Sequence, residues 1–187
     1  MNWLIFALLA WLMAGMELGL RDALQIGNLA LAPSFVMILL VFVALWARPQ
    51  TALGVGLSLG ALLDLLYVLP TQTGETAVLM GPWALGCTLA AYTVLNFRAL
   101  MFRKNPLTMA FLCAVATAIA NVIVLAILAL RAFYDPILLP SATSELWQRL
   151  GTAVYTGVVA LAVGPALQTL APWLGFRRQT QLGGRFA

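Results

Sequence analysis

The sequence predicts an all-α integral membrane protein, built as a bundle of about six transmembrane helices. Of its 187 residues, 63% are hydrophobic and only 9% are charged. A soluble domain is usually about 45–50% apolar and about 25% charged, and a chain of this length cannot hide so much apolar surface from water. Six apolar stretches, separated by polar or Pro-marked breaks, approach the roughly 20 residues that one crossing needs. A single membrane domain is therefore expected.

The apolar stretches set the order of the expected spans. They cover residues 3–20, 33–47, 51–69, 76–97, 107–130 and 147–174, and residues 175–187 form a basic cytoplasmic tail. The first stretch lacks the basic flank and the cleavage site of a signal peptide, so we expect it to be retained. The second is short, which fits either a tilted crossing or a re-entrant segment. Pro82 lies near the start of the fourth span, where proline is tolerated, and Pro165 predicts a kink in the sixth.

The basic residues in the connecting loops predict the orientation. With six spans both termini share one side, and that side carries seven of the ten basic residues: Arg48, Arg98, Arg103, Lys104, Arg177, Arg178 and Arg185. Cytoplasmic loops are enriched in Lys and Arg, so we expect a multi-pass protein of the bacterial inner membrane with both termini in the cytoplasm. A five-span alternative, with the second segment re-entrant, moves the N-terminus outside and fits the charge count almost equally well.

Residues for catalysis are scarce. Histidine is absent from the sequence, which removes the commonest general base and metal ligand. Cys87 and Cys113 fall inside apolar stretches, where they are expected to be buried and unreactive. No glycine-rich phosphate loop and no metal-ligand spacing is present. We therefore expect a protein that is not an enzyme and that uses no cofactor, metal or nucleic acid.

One helix face in the third span combines two glycines with an acid. Gly56, Gly60 and Asp64 recur at four-residue intervals, which places them on the same side of a helix. Glycines allow another helix to approach closely, and an acid in hydrocarbon costs about 2.5–3.5 kcal/mol unless it finds a partner. The favoured interpretation is a helix-packing or partner face. The alternatives are an acid that reaches water or caps a neighbouring helix, and, less favoured, a proton relay.

Two further polar residues lie inside the spans. Glu17 and Arg21 are spaced i, i+4 and are expected to pair near the end of the first span. Asn121 is expected to act as polar glue by hydrogen bonding across helices, and Thr117 lies one turn before it. Small residues spaced by four also occur in the first span, as Ala10 with Ala14 and as Gly15 with Gly19.

Several of these residues carry a resemblance to a known family. They are Pro33-Ser34, Ala44-Leu45-Trp46, Gly56/Gly60/Asp64 with Leu65-Leu66, Ala91-Tyr92, and the turn from Phe97-Arg98 to Phe102-Arg103. Together they resemble the rod shape-determining protein MreD family over residues 33 to 130. The Gly-Gly-Asp face is the most specific part of the resemblance. The chain departs from the family after that face, where the stretch from Tyr67 to Gly74 is longer.

The resemblance implies a non-enzymatic scaffold subunit of the elongation (rod) complex in the inner membrane. Such proteins partner the bitopic protein MreC and help link cytoplasmic MreB filaments to the elongation-specific wall synthases, which controls cell shape and lateral peptidoglycan synthesis. The Gly56/Gly60/Asp64 face would pack internally or toward MreC. Five cytoplasmic basic residues would contact MreB or anionic lipid, or only set topology: Arg98, Arg103, Lys104, Arg177 and Arg178.

The competing interpretation is a small-molecule binder, the substrate-binding subunit of an ECF-type vitamin transporter. Those subunits also have six spans, and the MreD family is distantly similar to them in fold. The Ala10/Ala14 pair resembles the small-residue face that such subunits use for docking. A vitamin binder needs a pocket with convergent polar groups near the outer side, and the loop between the third and fourth spans offers only Thr71, Gln72, Thr73 and Glu75.

Overall fold

The computed structural model describes residues 2–25, 31–70, 76–99, 105–132, 134 and 142–175. Within these ranges the chain forms seven helices: α1 Trp3–Gly19, α2 Arg21–Leu24, α3 Phe35–Trp46, α4 Pro49–Leu66, α5 Pro82–Phe97, α6 Pro106–Arg131 and α7 Ala142–Leu170. Between α4 and α5, the short strands β1 (Val68–Pro70) and β2 (Thr76–Val78) pair antiparallel. The prediction of a helical protein is confirmed for the described residues.

Three of the helices are long and apolar enough to cross a membrane. They are α4, α6 and α7, the last over Thr143–Leu170. Helices α1 and α3 are also apolar but shorter. These lengths and compositions agree with a membrane protein.

The helix bounds depart from the expected spans around the α4–α5 connection and in the last helix. Helix α4 ends at Leu66, so residues 68 and 69, expected to belong to the third span, lie in β1. Residues 76–78, expected to be helical, form β2, and α5 begins only at Pro82. Gly81 precedes it with φ 127°, a conformation that glycine adopts readily, and proline suits the first position of a helix. The last helix begins and ends earlier than expected, and an i, i+4 ion pair of 3.0 Å between Glu145 and Arg149 near its start supports helix formation. Pro165 lies inside α7, where the kink stays a prediction.

Successive long helices run in alternating directions, so their ends gather into two groups. At one group, the Glu17 end, the last turn of α1 meets the start of α3 through Glu17 and Ser34, and Tyr155 of α7 donates to Leu24 O at 3.2 Å. At the other group, the Arg98 end, Asn2 N donates to Leu174 O at 3.0 Å. The Glu17 end contains the polar groups described below.

Helix α3 occupies the centre of the bundle. Each residue from Phe35 to Leu45 is at most 3% exposed, and α1, α4, α5, α6 and α7 all pack against it. A helix that is apolar all round is stable only when it is surrounded. Its 12 residues span about 18 Å, less than the roughly 30 Å hydrocarbon thickness. The short second stretch is therefore the core of the bundle.

Polar side chains, Glu17 and Arg98, hold the two ends of α3. At the N-terminus, Glu17 accepts hydrogen bonds from Ser34 Oγ and Val36 N, both at 3.0 Å. At the C-terminus, Arg98 Nη1 donates to Ala44 O at 3.0 Å and to Ala47 O at 2.8 Å. Acceptor oxygens at the N-terminus pair with its free N–H groups, and a cation at the C-terminus matches the helix dipole. These contacts satisfy backbone groups that the buried helix cannot pair internally.

Removing the Arg98 guanidinium should destabilise the protein. In Arg98→Leu the carbonyl groups of Ala44 and Ala47 lose a charged donor, and such hydrogen bonds contribute about 1.5–3 kcal/mol. We expect a lower midpoint of thermal unfolding in detergent, followed by tryptophan fluorescence. The matched control is Arg48→Leu, which removes an exposed basic residue on the loop beside α3. Equal midpoints for the two variants would contradict the capping role.

Candidate functional site

The Gly56/Gly60/Asp64 face packs inside the protein, against α5. A Cβ atom on Gly56 would lie 3.1 Å from Cys87 O and Thr88 Cα, and one on Gly60 would lie 2.5 Å from Ala84 Cα. The backbones of α4 and α5 therefore approach so closely that only glycine fits at Gly60. Because α5 already covers this face, it is not free to bind a partner protein.

Asp64 caps the N-terminus of α5. Its carboxylate accepts hydrogen bonds from Gly81 N at 2.8 Å, Trp83 N at 2.9 Å and Ala84 N at 3.1 Å. The side chain is only 2% exposed, so it does not reach bulk water. The first N–H groups of a helix have no internal partner, and a negative charge there also favours the dipole. Of the interpretations left open by the sequence, the geometry matches a cap on a neighbouring helix.

Glu17 does not form the expected ion pair with Arg21. Its carboxylate is 6% exposed and, besides its bonds to the start of α3, accepts from Tyr67 Oη at 2.9 Å. The Arg21 guanidinium instead lies 5.4 Å from the centre of the Tyr67 ring, where a cation–π contact is favourable. Helix α1 ends at Gly19 and Arg21 begins α2, so the i, i+4 geometry assumed for a continuous helix does not exist.

Asn121 and Thr117 lie side by side on α6. Asn121 Nδ2 donates to Arg149 O at 3.2 Å, which joins α6 to α7 as expected of a polar residue between helices. Thr117 is 1% exposed, and within the described part of the chain its Oγ1 has no hydrogen-bond partner. An unpaired buried hydroxyl costs about 1–3 kcal/mol. The Thr117 hydroxyl is therefore a group with unused capacity.

The five basic residues expected at the cytoplasmic surface divide into two groups. The guanidinium of Arg98 turns inward and bonds to the C-terminus of α3, which corrects its assignment to a surface contact. The inward direction has a physical cause, because the buried carbonyl groups need a donor. The other four lie outside the described residues: Arg103, Lys104, Arg177 and Arg178.

The polar groups at the Glu17 end surround one cavity of about 250 Å³. Its polar and aromatic lining includes Glu17, Arg21, Tyr67, Trp83, Asn121 and Arg149. The Tyr67 and Trp83 rings stack with centres 5.4 Å apart and form part of one wall. In the described ranges, no three His, Cys, Asp or Glu side chains are placed to hold a metal ion. The arrangement offers hydrogen bonds, charge and an aromatic surface to a small molecule.

Sequence reasoning identified Glu17, Asp64 and Asn121 separately but did not bring them to one cavity. It missed Tyr67, Trp83 and Arg149 as cavity residues. Tyr67 directly follows the acidic face of α4, and this proximity was the available signal. Ser34 was also identifiable, since a serine just before an apolar run is a preferred N-cap.

Comparison with known proteins finds no matching family model, no matching curated protein and no matching solved structure.

Adding one methyl group at Gly60 should destabilise the α4–α5 contact. In Gly60→Ala the new Cβ would overlap backbone atoms of Trp83 and Ala84, and overpacking of this kind costs about 1–3 kcal/mol. We expect a lower midpoint of thermal unfolding in detergent. The control is Gly54→Ala on the same helix, where nothing lies within 4 Å of the added atom. A control that falls as far as Gly60→Ala would show that the loss is not caused by close packing.

Neutralising Asp64 should weaken the start of α5. In Asp64→Asn one acceptor oxygen becomes an NH₂ group that faces backbone N–H donors, and we expect a loss of about 1–3 kcal/mol. The measurement is the thermal unfolding midpoint, with exposed Asp22→Asn as the charge-matched control. If both variants melt like the parent protein, the carboxylate does not hold α5.

Proposed function

We propose that this chain is a non-enzymatic scaffold subunit of the bacterial elongation complex in the inner membrane. In this proposal it crosses the membrane six times with both termini in the cytoplasm, binds MreC and helps link MreB filaments to the wall synthases. It thereby controls cell shape and lateral peptidoglycan synthesis.

The observation that carries this proposal is the role of the Gly56/Gly60/Asp64 motif. This motif is the most specific part of the resemblance to the MreD family, and all three residues take part in one close joint with α5. The resemblance therefore depends on residues that determine how two helices pack. Shared apolar composition alone would not produce such a joint. This supports a common fold, from which the scaffold role is inferred.

Helix α1 offers the surface for a single-span partner such as MreC. Among the long helices it packs mainly against α3, and its outward side chains are exposed, including Leu8 at 67% and Trp11 at 79%. Gly15 and Gly19 also lie on its exposed side, where a Cβ atom added to either glycine would have no neighbour within 4 Å. Small residues on an open helix face favour close approach of another helix in lipid.

The second candidate is the substrate-binding subunit of an ECF-type transporter. The cavity at the Glu17 end favours it, because polar and aromatic groups converge there as a binder requires. The Ala10/Ala14 pair argues against it, since these residues are 8% and 5% exposed and are packed in the core. That pair is therefore not available to dock a transporter partner. The scaffold proposal is the stronger of the two.

Co-purification tests the scaffold role. The chain is co-expressed with the MreC protein of the same genome, extracted in detergent, and captured through a tag on the chain. We expect stable one-to-one capture that the double variant Gly15→Leu/Gly19→Leu weakens at least tenfold, because leucine side chains block close helix approach. The matched control is Gly54→Leu, at another open glycine on α4, which should leave capture unchanged.

The outcomes separate the hypotheses. Absence of MreC from well-folded captured protein would overturn the scaffold proposal and favour the transporter class. Equal weakening by the α1 and α4 variants would overturn the assignment of the partner face to α1. Both variants are first checked for an unchanged thermal unfolding midpoint, so that a lost partner is not confused with lost folding.

A further inference from the structure

The cavity at the Glu17 end has carboxylates whose hydrogen bonds are already made. Asp64 is held by three backbone N–H groups of α5. Glu17 is held by Ser34, Val36 and Tyr67. Glu145 accepts from Arg149 Nε at 3.0 Å. Two of these three carboxyl groups therefore already lie at positively polarised helix N-termini, and the third has a basic partner.

The unused hydrogen-bonding capacity of the cavity consists mainly of donors. The guanidinium of Arg21 contacts the Tyr67 ring and pairs with no carboxylate in the described part of the chain. Among the described residues, Arg149 donates to Glu145 through Nε alone, which leaves its two terminal nitrogens for another acceptor. Deeper inside, the buried Thr117 hydroxyl has no partner among the described residues. Donors of this kind, two of them guanidinium groups, match a carboxylate or phosphate.

We propose that this cavity binds a small soluble organic anion, with its acidic head toward Arg21 and Arg149 and a short apolar body toward Met37 and Val124. The two apolar residues line the same cavity and are 0% and 1% exposed. Thr117 would hydrogen-bond a polar atom of the ligand at the buried end. The inference goes beyond the scaffold role and concerns the chain alone, so it holds or fails independently of MreC binding.

The size of the cavity limits the ligand. Its volume is about 250 Å³. Pockets for drug-sized ligands span about 300–1,000 Å³. The ligand is therefore a small acid. Arg21 lines the cavity and is exposed, so its guanidinium group is accessible to a soluble anion.

Thiol labelling measures the charge preference of the cavity without knowledge of the ligand. Thr152→Cys places a half-buried reporter on the cavity wall contributed by α7, and wild type is the blank because Cys87 and Cys113 are buried. The probes are two methanethiosulfonates of similar size, the anionic 2-sulfonatoethyl and the cationic 2-(trimethylammonium)ethyl reagents. Each rate is divided by the rate of the same reagent with 2-mercaptoethanol. We expect the normalised anionic rate to exceed the cationic one about tenfold, within the range for charged clefts.

Variants of the arginines identify the source of the preference. Arg21→Gln and Arg149→Gln, made in the Thr152→Cys protein, should each reduce the rate ratio by at least threefold. The matched control is Arg131→Gln, which removes a basic residue at the same end of the bundle but outside the cavity lining. Gln148→Cys, one turn earlier on the same cavity wall, is a second reporter should Thr152→Cys fail to fold.

Three results would overturn the inference. They are a normalised ratio at or below one, no labelling by either reagent, and a ratio that Arg131→Gln lowers as much as Arg149→Gln. Adding dihexanoyl phosphatidylglycerol to the detergent separates a lipid headgroup from a soluble acid. Slower anionic labelling with this lipid would assign the site to a lipid headgroup and reject the soluble ligand, whereas an unchanged rate supports it.

Discussion

The structure depends on the burial of α3 from Phe35 to Leu45. A 12-residue helix surrounded by five others has both ends inside the bundle, and each unpaired backbone group left there would be costly. The bundle therefore has to bring polar partners to both ends of this helix. Glu17 and Ser34 meet its first N–H groups, and Arg98 meets its last carbonyls. These contacts fix where α1 must end and where α5 must end, so two neighbouring helices are positioned by the needs of the third.

The same physical requirement recurs at α5 and explains the chemistry of the cavity. Asp64 caps the start of α5 just as Glu17 holds the start of α3. Both carboxylates lie at the Glu17 end because α3 and α5 begin there. The N-termini of α3 and α5 thus hydrogen-bond the carboxyl groups of Glu17 and Asp64. Arg21, in contrast, has no acidic partner in the described part of the chain. Because the helix caps use the acceptor oxygens of the cavity, the hydrogen-bonding groups that remain unused there are mainly donors.

Composition and spacing could predict the helical class and the positions of most helices, because the length of each apolar stretch can be read from the sequence. The four-residue spacing of Gly56, Gly60 and Asp64 also predicted one shared contact face. The partner of that face was not predictable, since it depends on tertiary contact with a turn formed by Gly81 and Pro82. The orientation rule counts basic residues but carries no information on where a side chain points, so Arg98 was assigned to the surface. The predicted ion pair between Glu17 and Arg21 does not form, because α1 ends at Gly19.

Helix α1 connects the proposed partner face to the proposed ligand cavity. Gly15 and Gly19 are exposed on one side of it, while Glu17 is buried on the other. Glu17 simultaneously holds α3, accepts from Tyr67 and lines the cavity. A partner that shifts α1 would therefore move a carboxylate on which both the central helix and the cavity depend. If binding at one face changes affinity at the other, linkage requires the effect to be equal in both directions. The cavity is then placed where a small acid would sense whether the partner helix is bound.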